Sequence, residues 1–138
     1  MKKIIFCSIL ILSFVGCGGG LAIKEKVIYN YYLIATYDSE GCSLSYNDDG
    51  SNYSNIIDAT VFSVGYNDKY IVAKQHPRTF PNKANRSVTQ YYIVQIQKNN
   101  TLSMENVIGP LTVGEFNERC KELKIENIRF TKVLKDLE

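Results

Sequence analysis

A single histidine, His76, limits the chemistry open to this chain of 138 residues. Zinc sites built on two or more histidines are excluded, and a Ser-His-Asp or Cys-His arrangement would have to run through that one imidazole. His76 lies in Lys74-Gln75-His76-Pro77-Arg78, at the end of a strand where Pro77 forces its predecessor into extended backbone. It reads either as a polar rim residue that contacts a ligand or as an ordinary turn histidine. Two converging carboxylates could do acid–base chemistry without histidine, as in glycoside hydrolysis. Asp38, Glu40, Asp58 and Glu105 are the candidates, and no spacing pairs them. The Asp48-Asp49-Gly50 turn invites a calcium reading. With Gly50 as the sixth loop residue, the first is Ser45 and the twelfth is Ile56, where an EF-hand requires a bidentate Glu. The match fails. Gly18-Gly19-Gly20 follows no strand, so no phosphate-cradling loop is expected. Neither a metal nor a cofactor is expected.

Cys17 has the strongest local context. Lys2 and Lys3 precede an uncharged apolar run from Ile4 to Val15, which ends in Phe14-Val15-Gly16-Cys17-Gly18-Gly19-Gly20. A basic start, an apolar run of this length and a small residue before the cut are the layout of an export signal. The end of the run resembles a lipobox, with Phe14 where Leu is usual. The resemblance implies residues 1–16 as a lipoprotein signal peptide and Cys17 carrying diacylglycerol and an amide-linked acyl chain. At about 0.8 kcal/mol per buried CH₂, two or three chains make a lasting anchor. The competing reading is an uncleaved spanning helix, since no charge falls between Lys3 and Lys24 and a span needs only about 20 residues. The glycine run opposes it, because each interior Gly costs a helix roughly 1 kcal/mol, whereas such a run makes a flexible tether. Residues 17–27 are read as that lipidated tether and 28–138 as one domain.

Losing Lys2 and Lys3 brings the 16 Lys and Arg level with the 14 Asp and Glu. A neutral domain has no electrostatic footprint for nucleic acid and no basic cluster for anionic lipid, so membrane attachment would rest on the lipid alone. The length left suits one domain that buries roughly two-thirds of its unfolded surface. Cys7 leaves with the signal and Cys17 takes the lipid, which leaves Cys42 and Cys120 as thiols in an oxidising space. A bridge between them would close a loop of about 80 residues, for roughly 4 kcal/mol on the chain-entropy model. The alternative is two ordinary buried thiols.

The elements that must position these residues are strands first and a helix late. Tyr31–Tyr37, Thr60–Tyr66, Tyr70–Gln75 and, most clearly, Gln90–Gln97 read as strands with branched and aromatic side chains, and Ser43–Tyr46 alternates weakly. Turn clusters separate them: Asn47–Asn52, Asn67-Asp68, Pro77–Asn85 and Asn99-Asn100. Asn67-Asp68 between two apolar runs predicts a hairpin. Thr112 followed by Glu115 predicts a capping box, after which Phe116, Cys120 and Leu123 form one apolar stripe. Ile128 and Phe130 alternate like a strand, with a helical tail beyond. The expected fold is α+β: an antiparallel meander of about five to six strands with one C-terminal amphipathic helix packed on it.

Ten Tyr and six Phe occur with no Trp. The pairs Tyr31-Tyr32 and Tyr91-Tyr92 must send one ring to each face of a strand, so some rings are exposed and suit contact with a sugar or a protein; the competing reading is cross-strand aromatic packing. Together the lipobox, the run from Tyr66 to Pro77, the Tyr91-Tyr92-Ile93-Val94 strand and Gly109-Pro110-Leu111 ahead of Glu115-Phe116 resemble short bacterial lipoproteins grouped as a domain of unknown function. That resemblance implies an envelope protein and no catalytic residues. The expected function is a non-enzymatic binding or accessory module, held at the cell membrane or outer membrane and facing the periplasm or the exterior. Its partner would be an envelope protein or glycan, met through Tyr31, Tyr32, Tyr91, Tyr92 or His76. The alternative is a small carboxylate hydrolase acting on envelope glycans.

Overall fold

The computed structural model describes residue 20, residues 22–98 and residues 102–138. Residues 1–16, Cys17 and the Asn99-Asn100 turn therefore lie outside the described residues. No helix among the described residues is long and apolar enough to cross a membrane.

Nine strands are formed by the described residues: β1 (Ile23–Ile28), β2 (Tyr31–Ala35), β3 (Ser43–Tyr46), β4 (Ser54–Ile57), β5 (Val61–Tyr66), β6 (Tyr70–Gln75), β7 (Gln90–Gln95), β8 (Val107–Leu111) and β9 (Lys132–Val133). They build two antiparallel sheets, ordered β1-β2-β3-β4 and β8-β7-β6-β5-β9. The one α-helix among the described residues, α1 (Val113–Leu123), precedes β9. The structure thus bears out antiparallel strands with a late helix, but replaces the expected single sheet of five to six strands with two sheets. β1 also lies largely within the segment read as tether.

The second sheet is covered on both sides. On one face Val64, Ile71, Ala73 and Val94 meet Leu33, Cys42, Leu44 and Ile57 of the first sheet in the larger core. On the other, Val72 and Ile93 pack with Phe116, Cys120 and Ile125. Neighbouring residues Ile71 and Val72 enter different cores because strand side chains alternate. Layer order is therefore sheet, sheet, helix.

The local signals explain the junctions. Asn67 Oδ1 accepts from Lys69 N at 2.9 Å and Tyr70 N at 2.8 Å, closing the β5–β6 hairpin. Thr112 and Glu115 make the reciprocal capping box, with Glu115 accepting from Thr112 N at 2.8 Å; these bonds to the ionised carboxylate hold its pKa below the ordinary value. α1 ends at Lys124, in left-handed backbone at φ 57. Ile128 and Phe130 form no strand; the last strand is the short β9, followed by a 3-10 turn at Lys135–Leu137. The chain before β9 crosses so closely over Gly65 that a Cβ there would lie 2.0 Å from Arg129 O, which is why β5 carries a glycine at that point.

Candidate functional site

β2 ends at Ala35, and the next residues run into an exposed loop, Thr36 to Gly41, closed by a 3-10 turn at Ser39–Gly41. Asp38 is the cap: its Oδ1 accepts from Gly41 N at 2.9 Å. Arg78, just beyond β6, brings Nη1 to 3.8 Å from the same carboxylate and donates from Nε to Asn82 O at 2.9 Å. Glu40 fixes the loop from behind. It lies 3.5 Å from Arg86 Nη2 and accepts from Ala84 N at 3.3 Å, while the Thr60 hydroxyl donates to its carbonyl. These ties join residues far apart in sequence around one concavity at the end of the sandwich.

That cleft has a volume of about 570 Å³, and its lining includes Tyr37, Asp38, Asn55, Asp58, Arg78 and Phe80. Tyr37 is 93% exposed and Phe80 84% exposed, and both line this one cleft. The polar floor is oriented. Asn55 Oδ1 accepts from the Ser43 and Ser45 hydroxyls at 3.0 and 2.9 Å. The carbonyl of Asp58 accepts from Gln75 Nε2 at 2.7 Å, and Gln75 Oε1 accepts from the Tyr92 hydroxyl at 3.1 Å. Burial first, then the Asp58 carboxylate, raise the Tyr92 pKa above its ordinary 10.0. Chemically the cleft offers hydrogen-bond donors and acceptors of both charges beneath two flat rings. No cluster of three or more His, Cys, Asp or Glu able to hold a metal occurs among the described residues.

The tyrosines singled out from sequence do not converge. Tyr31 is 1% exposed, meets Tyr46 edge-on at 5.0 Å and accepts from Gln97 N through its hydroxyl at 3.1 Å. Burial raises its pKa. Tyr32 points to the outer face of the first sheet, 5.5 Å from the Tyr53 ring, with Lys24 over Tyr53. Tyr91 lies 4.9 Å from Phe116 beneath α1. Tyr92 packs at the inter-sheet core. His76 is buried rather than at a rim. It stacks on Phe62 at 4.1 Å, its Nδ1 is 2.8 Å from Val88 O, and its Nε2 has no partner.

Cys42 and Cys120 are both free and buried. They sit in different cores, Cys42 between the sheets and Cys120 under α1, so of the two readings the possible bridge is not formed and both thiols are buried and free; the second sheet, which the sequence did not reveal, lies between them. Burial pushes the Cys42 thiol up to about 12, with Glu25 adding to it, and raises Cys120 with help from Glu126.

Two of the candidate carboxylates, Asp38 and Asp58, are brought to one cleft although 20 residues of unrelated pattern separate them. Glu40 lies behind it as a brace. Sequence reasoning missed Tyr37, Phe80, Arg78 and Asn55. The available signal was an aromatic in a turn, Tyr37 beside Asp38 and Phe80 beside Pro81, since rings in strands usually serve the core. A family model described as "Protein of unknown function (DUF3997)" matches residues 28–134. No curated protein and no solved structure matches the chain.

Proposed function

The chain belongs to the DUF3997 family, and from that premise we propose that it is a lipid-anchored, non-catalytic binding module of the bacterial cell envelope, using the cleft between Tyr37 and Phe80 to hold an envelope glycan or protein. The anchoring half rests on the lipobox-like Val15-Gly16-Cys17 after the apolar run. The binding half rests on one observation: among the described residues, the two most exposed large apolar rings line the same cleft as Asp58, Asn55 and Arg78. Concave sites with apolar walls and a few oriented polar groups are where ligands bind. Intact mass spectrometry of protein from its native membranes tests the anchor. The expected species begins at Cys17 and carries acyl chains; one that retains residues 1–16 without lipid overturns it. Binding is tested by titrating cell-wall glycan fragments and solubilised envelope proteins against the protein and its Tyr37→Ala/Phe80→Ala variant. Saturable binding lost in the variant is expected, and binding that survives in it removes the cleft from consideration.

One observation favours a second reading. Asp38 and Asp58 line the same cleft, and hydrolysis of glycans by paired carboxylates needs two carboxyl groups in one site. Against it, Asp38 is already engaged by Gly41 N and Arg78. Release of reducing ends from cell-wall glycan, abolished by Asp58→Asn, would replace the binding reading with the enzymatic one.

A further inference from the structure

The tether enters the domain at the cleft. β1 begins at Ile23, and Ile23 pairs with Ala35, the last residue of β2; Thr36 and Tyr37, the next two, line the cleft. Paired strand residues lie about 5 Å apart, so the start of β1 and the cleft rim share one end of the first sheet. The second sheet contributes the same end. Val61 pairs with Gln75, and Asp58 and Ala59 just before β5, with Arg78 and Phe80 just after β6, complete the lining.

From Cys17 to Ile23 there are six residue steps. Covalent geometry alone limits that length to about 22 Å, whatever its conformation. A domain of this size has a radius of gyration near 13 Å, so the tether is shorter than the domain is wide. Acyl chains on Cys17 therefore keep the cleft end as the part of the domain closest to the bilayer.

That end also carries the surface suited to a bilayer interface. Among the described residues Tyr37 at 93% and Phe80 at 84% are the most exposed large apolar side chains, while Tyr29, Tyr66 and Met104, at or near the far end, are 41%, 39% and 59% exposed. Aromatic rings partition to the headgroup level, where an apolar body meets a wet edge. Resting on the lipoprotein reading of Cys17, we propose that Tyr37 and Phe80 seat in the interfacial layer of the membrane that holds the anchor, so that the cleft opens onto that membrane and takes a partner lying at its surface. The electrically balanced domain needs no basic patch for this, because the lipid supplies the affinity and the two rings supply only orientation.

The chain has no tryptophan, so one introduced Trp reports its own depth. Tyr37→Trp, Phe80→Trp and Tyr66→Trp variants of the full protein, expressed with lipidation and reconstituted in phosphatidylethanolamine–phosphatidylglycerol vesicles, are compared with and without lipid brominated near the headgroup. Tyr66 ends β5, roughly 17 Å along the strand from Val61, and serves as the distal reference. The expected result is emission cut by about half at positions 37 and 80, the depth of interfacial aromatics, with position 66 unchanged. Equal quenching at all three positions, or none while the protein still floats with the vesicles, overturns the orientation and leaves the cleft facing a soluble glycan or protein. Protein that neither floats nor shows lipid in its mass overturns the anchor reading and the orientation together.

Discussion

The two faces of the second sheet are built from the same strands but sealed differently. Toward the first sheet, Ile71, Ala73 and Val94 meet another sheet whose strands are held by their own ladders. Toward α1, Val72 and Ile93 meet one helix of 11 residues and the irregular chain after it. A sheet cannot move inward to fill a void without breaking its register, whereas a single helix can shift as a body. The thiols record the same contrast: Cys42 is 0% exposed and pushed up to about 12, while Cys120 is 5% exposed and borders a small surface cavity. The inter-sheet core is thus the more deeply buried side of the molecule, and the expectation is that it yields less than the helix side.

The sharpest challenge to that contrast is Ile71→Ala, which removes a fully buried side chain from the inter-sheet core; a loss of about 4 kcal/mol in urea unfolding is expected. Phe116→Ala on the helix side is expected to cost about 3 kcal/mol, at the lower end for a core phenylalanine, because α1 can settle into the space. Equal or reversed costs would mean that the helix is held as firmly as the sheet. Alkaline titration separates the faces again. A thiol with an ordinary value of 9.0 that is pushed to about 12 in the folded protein contributes stability that is complete below pH 9 and is lost as pH rises from 9 toward 12. Melting temperature should fall across that window, and Cys42→Ala should flatten the fall more than Cys120→Ala does. In the native state at neutral pH, iodoacetamide should label Cys120 before Cys42; the reverse order would contradict that expectation. Thr112→Ala, which removes the cap of α1, should cost about 1 kcal/mol and accelerate Cys120 labelling alone.

What could be read from sequence follows strand position within the sheets. β2, β3, β5, β6 and β7 were all legible, and each is an interior strand with the branched, aromatic pattern of a two-sided neighbour. The four that were missed, β1, β4, β8 and β9, are the four sheet edges. Edges carry charge, proline or little length because an apolar edge would recruit other chains: β1 reads IKEKVI, β8 contains Gly109-Pro110, β4 has four residues and β9 has two. The features that protect an edge erase the pattern that announces a strand. Without the edges, one sheet cannot be told from two, nor opposite faces from a shared one, which is why the sequence leaves a Cys42–Cys120 bridge open. The capping box and the Asn67 hairpin were legible because each is settled within four residues. The cleft was not, since Asp38, Asp58 and Arg78 meet only through the sandwich.

The pairing of β9 has a consequence for the order in which the molecule can be completed. Ser63 and Val64 pair with Val133 and Lys132, Thr131 N and Leu134 N donate to Val64 O and Phe62 O, and Lys132 meets Glu25 of β1. One flank of β5 is therefore closed by residues some seventy positions later. During synthesis every other neighbour of β5 emerges while that flank still lies open. Native closure waits for Lys132 to Leu137 to emerge, and until then β5 presents free backbone to anything that can pair with it.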